Sequence, residues 1–167
     1  MRECGFDATS RILGCQSEAA NPLYLSWREA GGLHATREGW EKVYKPITVG
    51  ETIATAARIG KPVSWKKVIR EITISNGAMA MATEAQLREA VIVAALSGLF
   101  LCPQSGQALA GLKNAVDEGT VAPKSDVVVV STADGLKFTK PFSGNLFENA
   151  TVHECDTDEV ASLIMAA

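Results

Sequence analysis

Closely spaced cysteine pairs are missing from this chain of 167 residues. Its four cysteines, Cys4, Cys15, Cys102 and Cys155, stand far apart, no C-x-x-C occurs, and His34 and His153 are the only histidines. Neither a structural zinc site nor a disulfide framework is expected. An excess of one charge is missing too: 16 Lys+Arg against 19 Asp+Glu leave a formal net charge of -3, with the basic residues dispersed. That gives no electrostatic footprint for a phosphate backbone or an anionic lipid, so neither nucleic acid nor membrane is expected as a partner. The stretch Ala90 to Leu112 carries no charge, but Ser97-Gly98 and Cys102-Pro-Gln-Ser-Gly106 break it into pieces shorter than the ~20 residues of a spanning helix. The first residues, Met-Arg-Glu-Cys-Gly-Phe-Asp, hold no apolar signal core, so the expected compartment is the reducing cytoplasm. No internal repeat or low-complexity tract occurs.

What is present is ordinary globular composition, 47% hydrophobic and 21% charged, enough to bury a core without a metal or a disulfide. Arg11-Ile-Leu-Gly-Cys15 reads as a short buried strand. Asn21-Pro22 sets up a helix start, with Asn as cap acceptor and Pro where its missing N–H costs nothing. Gly31-Gly32 stops that helix. Residues 33–49 show no clean period and carry two exposed-looking aromatics, Trp40 and Tyr44, which predicts a loop. A helical pattern begins at Gly50 (Ile53, Ala56, Ala57) and ends at Gly60-Lys61-Pro62; Ser64 then caps a helix carrying Val68, Ile69 and Ile72 on one face.

Ala78 to Ala82 predicts a strand of small side chains. Thr83-Glu84-Ala85-Gln86 matches the capping box that opens a helix ending near Gly98. Leu99 to Cys102 predicts a buried strand, Gln104 to Glu118 a helix, and Asp126-Val-Val-Val-Val-Ser131 a strand with no polar face, of the kind covered on both sides in a parallel sheet. An Asn-rich turn around Gly144-Asn145 and a weak terminal helix from about Asp156 follow. The alternation predicts an α/β fold, an open, mostly parallel sheet flanked by helices in three layers. In such sheets ligands sit beyond the carboxyl ends of the strands, which directs attention to the loops after Cys15, Ala82, Cys102 and Val130.

Three of these junctions carry polar groups suited to a ligand. Ser131 and Thr132 end the valine run ahead of Asp134-Gly135, so a hydroxyl meets a bound ring nitrogen or satisfies the backbone where the strand stops. Pro103-Gln-Ser-Gly106 opens a helix with free N–H groups, and Gln16-Ser-Glu-Ala-Ala-Asn21 is a polar turn before another.

Taken in order, Cys15-Gln-Ser-Glu-Ala-Ala-Asn-Pro-Leu-Tyr-Leu25, Glu51-Thr-Ile-Ala-Thr-Ala-Ala-Arg-Ile-Gly-Lys-Pro-Val-Ser64, Gly98-Leu-Phe-Leu-Cys-Pro-Gln-Ser-Gly-Gln-Ala-Leu109 and Ser131-Thr-Ala-Asp-Gly-Leu-Lys-Phe138 resemble the carboxyl-terminal part of plant-type threonine synthase. That family comprises pyridoxal-phosphate enzymes of fold type II, the tryptophan-synthase-β type. The resemblance implies that residues 1–145 are the carboxyl-terminal part of the large domain and residues 146–167 a terminal extension. It implies conversion of O-phospho-L-homoserine and water to L-threonine and phosphate by β,γ-replacement, with Thr132 as the hydroxyl that meets the pyridine nitrogen of pyridoxal phosphate.

Two departures stand out. Asp134 replaces the histidine of the family's S-T-A-H-G-L-K-F turn. The family's cofactor-bearing lysine lies in an S-F-K-D-type segment and its phosphate loop is rich in glycine and asparagine; this sequence contains neither. No catalytic residue is therefore assigned to the chain, and it is expected to be inactive alone and to associate with copies of itself or with a complementary chain. The alternatives are a non-catalytic binding or interaction module, or another fold type II enzyme such as threonine dehydratase.

Overall fold

The computed structural model describes residues 10–142. The predicted turn at Gly144-Asn145, the terminal helix from Asp156 and the 146–167 extension lie outside them, as do Cys4, His153 and Cys155.

The fold is α/β. Strand β1 (Leu13–Ser17) pairs in parallel with β2 (Ala78–Ala82), Leu13 opposite Ala78 and Ser17 opposite Ala82. Both strands fall where the apolar runs predict them, β1 displaced by two residues. Small side chains suit this ladder because a helix lies directly on it. Helix α5 (Pro103–Asp117) approaches so closely at Gly111 that a Cβ there would stand 2.7 Å from Cys15 Sγ and 2.9 Å from Cys15 Cβ.

Between the strands the chain builds α1 (Pro22–Glu29), α2 (Arg37–Val43) and α3 (Trp65–Ile74). Leu23 and Trp27 of α1, Trp40 of α2 and Ile69 and Ile72 of α3 form one buried cluster with Met79. Helix α4 (Glu84–Leu96) follows β2 and opens with the predicted capping box: Gln86 N–H donates to Thr83 Oγ1, and Thr83 N–H to Gln86 Oε1. A second buried cluster joins Leu87 and Val91 of α4 to Ala54 and Phe142.

Several expectations are corrected. Residues 33–49 are not a loop throughout. Thr36 caps α2 by accepting from Gly39 N–H, and Trp40 is 1% exposed, its indole N–H donating to Ser26 Oγ at 2.9 Å. The helical pattern after Gly50 yields only a 3-10 turn, Thr55–Ala57. Glu51, ahead of that turn, binds the Arg58 guanidinium through both carboxylate oxygens. Asn21 does not cap α1 with its side chain. Gln16 Oε1 takes that role, accepting from Leu23 and Tyr24 N–H at 3.0 and 2.9 Å.

Leu99–Cys102 and Asp126–Ser131 are not ladder strands. Leu101 forms a single antiparallel bridge with Asp134. The valine run is largely exposed. Val129 is half-buried, yet Val128 and Val130 are 90% and 69% exposed. A strand buried on both faces needs a neighbour on each edge, and among the described residues only β1 and β2 form a ladder.

Candidate functional site

The end of the valine run meets the first turn of α5. Cys102 precedes that helix, and its N–H donates to Ala133 O at 3.2 Å while Gly135 N–H donates to Phe100 O at 2.8 Å. These bonds hold the segments 100–102 and 133–135 side by side. Gly135 is required for this approach, since a Cβ would stand 2.6 Å from the Phe100 ring.

Side chains from both segments then form a small hydroxyl and thiol network. Ser105, almost wholly buried, is its hub. Its Oγ accepts from Thr132 N–H at 3.0 Å, donates to Ser131 Oγ at 3.5 Å, and is hydrogen-bonded to Cys102 Sγ at 3.2 Å. Cys102 Sγ also meets Thr132 Oγ1 at 3.5 Å. Burial raises the pKa of the Cys102 thiol, but hydrogen bonds from the Ser105 and Thr132 hydroxyls and from backbone N–H groups outweigh it and leave the thiol below its ordinary value.

Thr132 itself is exposed. A threonine hydroxyl has one proton to donate and two lone pairs, so the contact to Cys102 leaves it capacity for another partner. Nearby, Gln104 in the first turn of α5 has a buried Nε2 that no described group accepts from. The arrangement thus places an exposed threonine at one helix start, a residue of the kind that orients a polar heterocycle.

Asp134 occupies the position where the resembled family has histidine. Its Oδ1 accepts from Leu136 N–H at 2.8 Å and so caps the 3-10 turn Gly135–Phe138. Its role in this fold is to shape the turn behind Thr132.

A second polar junction lies at the carboxyl ends of β1 and β2. Glu84, first residue of α4, accepts from Ser17 Oγ with Oε1 and from Ile53 N–H with Oε2, each at 3.0 Å. One carboxylate therefore ties β1, α4 and the 52–57 segment together. Sequence reading named Thr132 by resemblance, without Cys102 and Ser105 as its neighbours, and did not single out Glu84 or Gln16. The usable signal for Ser105 is its place two residues after Pro103, which opens α5, so that it falls in the helix's first turn. Among the described residues, no three His, Cys, Asp or Glu side chains gather as a metal site, and no helix is long and apolar enough to cross a membrane.

No family model matches the chain. Several curated proteins do. It is 36% identical to the chloroplastic threonine synthase 2 of Arabidopsis thaliana over 80% of its length, and 36% identical to the threonine synthase of Mycobacterium tuberculosis over 78%. The threonine synthase of Methanocaldococcus jannaschii matches at 32% identity, again over 78%. The chain is similar to a segment of threonine synthase, as its residues suggest. It covers 24%, 32% and 30% of those three relatives, less than a third of the length of each.

Proposed function

We propose that this chain is the part of a threonine synthase that holds the ring end of pyridoxal phosphate, and that it acts only when completed by the rest of the enzyme. The observation that carries the reading is Thr132. Its hydroxyl stands exposed at the end of the valine run, with its backbone fixed by Ser105 and its side chain steadied by Cys102. The matches to threonine synthases from plant, bacterium and archaeon support the assignment.

In this reading the completed enzyme converts O-phospho-L-homoserine and water to L-threonine and phosphate: the Cγ–O bond to phosphate breaks and the water oxygen joins Cβ. Pyridoxal phosphate, when bound, supplies the electron sink for the substrate's α-carbon. Thr132 would hold the ring end by a hydrogen bond from its hydroxyl to the pyridine nitrogen. Being neutral, it does not favour a protonated ring as a carboxylate would, and so moderates the sink. Ser105 fixes the height of Thr132 against α5, and the Asp134-capped turn fixes its approach. The lysine that bears the cofactor and the phosphate loop come from the remainder of the enzyme, which is why the chain alone is inactive. Within that enzyme residues 1–145 belong to the large domain, and β1 and β2 are two strands of a wider, mostly parallel sheet in three layers.

The test is the cofactor's absorption in the completed enzyme. Thr132→Asp shifts the spectrum and lowers the rate, whereas an unchanged spectrum and rate would remove Thr132 from the cofactor and overturn the reading.

A further inference from the structure

The bond to Ser105 holds Thr132 from one side only. Downstream of Thr132 the chain passes through the Gly135–Phe138 turn and a second 3-10 turn, Lys140–Phe142, and reaches Phe142, whose side chain is wholly buried. Phe142 belongs to the cluster of Ala54, Leu87 and Val91, the last two on α4. Arg88, next to Leu87 on that helix, donates from Nη1 to Pro141 O at 2.7 Å. A side-chain anchor and a backbone anchor thus attach residues 141–142 to the same stretch of α4.

From Phe142 the packing leads back to the site. Phe100 meets it edge to face, with ring centroids 6.3 Å apart and planes at 76°. The Phe100 ring also lies face-on to Gly135, since a Cβ there would stand 2.6, 2.7 and 2.8 Å from its Cδ2, Cγ and Cε2. Gly135 N–H donates to Phe100 O, Cys102 N–H donates to Ala133 O, and Thr132 is the next residue up the chain. The other support of Thr132 is referred to α4 as well. Gly106, beside Ser105, leaves no room for a Cβ against Val91, so the first turn of α5 is seated on that helix.

We propose that Phe142 is a positioning residue of the candidate site: seated on α4, it holds the Phe100 ring against Gly135 and so fixes the 133–135 segment that carries Thr132, with Arg88 as the second point of attachment. What Thr132 does rests on the functional reading above; how it is held does not. Close-packed interiors pass a displacement on instead of absorbing it. Leucine in place of Phe142 presents no ring edge, the Phe100 ring is left without its stop, and the bonds that join segments 100–102 and 133–135 loosen together.

The full chain and its variants are compared by amide hydrogen exchange and by titration of the Cys102 thiol in cysteine-labelled protein. Phe142→Leu accelerates exchange at Cys102, Thr132 and Gly135 about tenfold relative to β2 and α3 in the same sample, the weight of about one hydrogen bond. The Cys102 thiol titrates at higher pH, because the Thr132 and Ala133 groups that lower it withdraw. Ile72→Val, which opens a cavity in the other buried cluster, changes neither. Arg88→Met keeps the apolar stem but removes the bond to Pro141, and gives the same pattern at smaller amplitude.

Two results overturn the proposal. One is exchange that accelerates equally throughout the chain, which makes Phe142 a general core residue. The other is wild-type behaviour of the three amides and the thiol in Phe142→Leu, or in Arg88→Met where Phe142→Leu does not fold. In the completed enzyme Thr132→Asp separates this from the cofactor reading. Responding amides with an absorption that Thr132→Asp leaves unchanged refute the cofactor reading and leave the hold of Phe142 on Thr132 standing. A Thr132-dependent absorption with unresponsive amides refutes the hold alone.

Discussion

The amide of Thr132 donates to Ser105 Oγ across 3.0 Å, joining the end of the valine run to the first turn of a helix 27 residues earlier in the chain. This bond fixes the backbone that carries the Thr132 hydroxyl. Ser105 is nearly inaccessible, and its oxygen is shared with Cys102 and Ser131, so it has little freedom to follow if the valine run moves.

Ser105→Ala removes that acceptor without enlarging the side chain. The Thr132 N–H and the Cys102 thiol both lose a partner, which costs about 1–3 kcal/mol when the group left behind is shielded from water. The expected outcome is a lower urea midpoint and, in the completed enzyme, weaker pyridoxal-phosphate binding. Cys102 also loses a hydrogen bond that lowers its pKa, so its thiol titrates at higher pH in the variant. Ser105→Thr, which keeps the hydroxyl, restores the thiol's titration wherever the extra methyl is accommodated. Thiol titration and denaturation on the same samples check both parts.

Glu84 makes a separable prediction. Its two oxygens accept from Ser17 and from the Ile53 amide, and Glu84→Ala leaves both without an acceptor. Exchange at the Ile53 amide accelerates at least tenfold while the capping box at Thr83 and Gln86 stays protected. Glu84→Gln retains one carbonyl acceptor and falls between the two. Uniform acceleration through α4 would show instead that Glu84 supports the whole helix.

The features legible in the sequence are those decided by neighbours in the chain. Thr83 and Gln86 cap each other because their spacing brings both onto one turn, and Ala78–Ala82 pairs with β1 because its alternation of small apolar side chains suits a packed ladder. What escaped was decided at a distance. Trp40 looked exposed because its partner Ser26 stands 14 residues earlier, and Asn21 looked like the cap although Gln16 reaches the Leu23 and Tyr24 amides from β1. Asp126–Ser131 has the pattern of a central strand, yet a strand exists only with something to pair against. At the candidate site Thr132 was legible from resemblance, whereas Ser105 and Cys102 became visible as its supports only once the two segments lay together.

Gly111 tests how tightly the ladder and α5 are packed. A Cβ at this position would lie 2.7 Å from Cys15 Sγ and 3.6 Å from Ala80 Cβ. Alanine favours helix by about 1 kcal/mol over glycine, but overpacking of this kind typically costs about 1–3 kcal/mol, and the collision involves the base of a side chain on a strand. Gly111→Ala therefore lowers stability despite its better helix propensity. Adding Cys15→Gly recovers part of the loss in a double-mutant cycle, because the obstructing atoms are then gone. Additive losses would place the strain elsewhere on α5.

Cys15 itself gives the chain a dependence on alkaline pH whose sign follows from burial. Desolvation against α5 pushes its thiol from 9.0 up to about 12, so the folded state retains a proton that the unfolded chain releases above pH 9. Folding stability from this group is fully present below the unfolded value and is lost as pH rises toward 12, at about 1.4 kcal/mol per pH unit. Cys102 works in the opposite direction, since its lowered thiol ionises more readily in the folded chain. The two contributions are separated by substitution, not by the wild-type curve. Cys15→Ala flattens the fall in urea-derived stability between pH 9 and 11 relative to wild type, whereas Cys102→Ala leaves that window unchanged and removes a gain in stability that builds as pH rises toward 9. Were the Cys15→Ala curve parallel to wild type, the Cys15 thiol would have to be in contact with water and the close seating of α5 on β1 would be wrong.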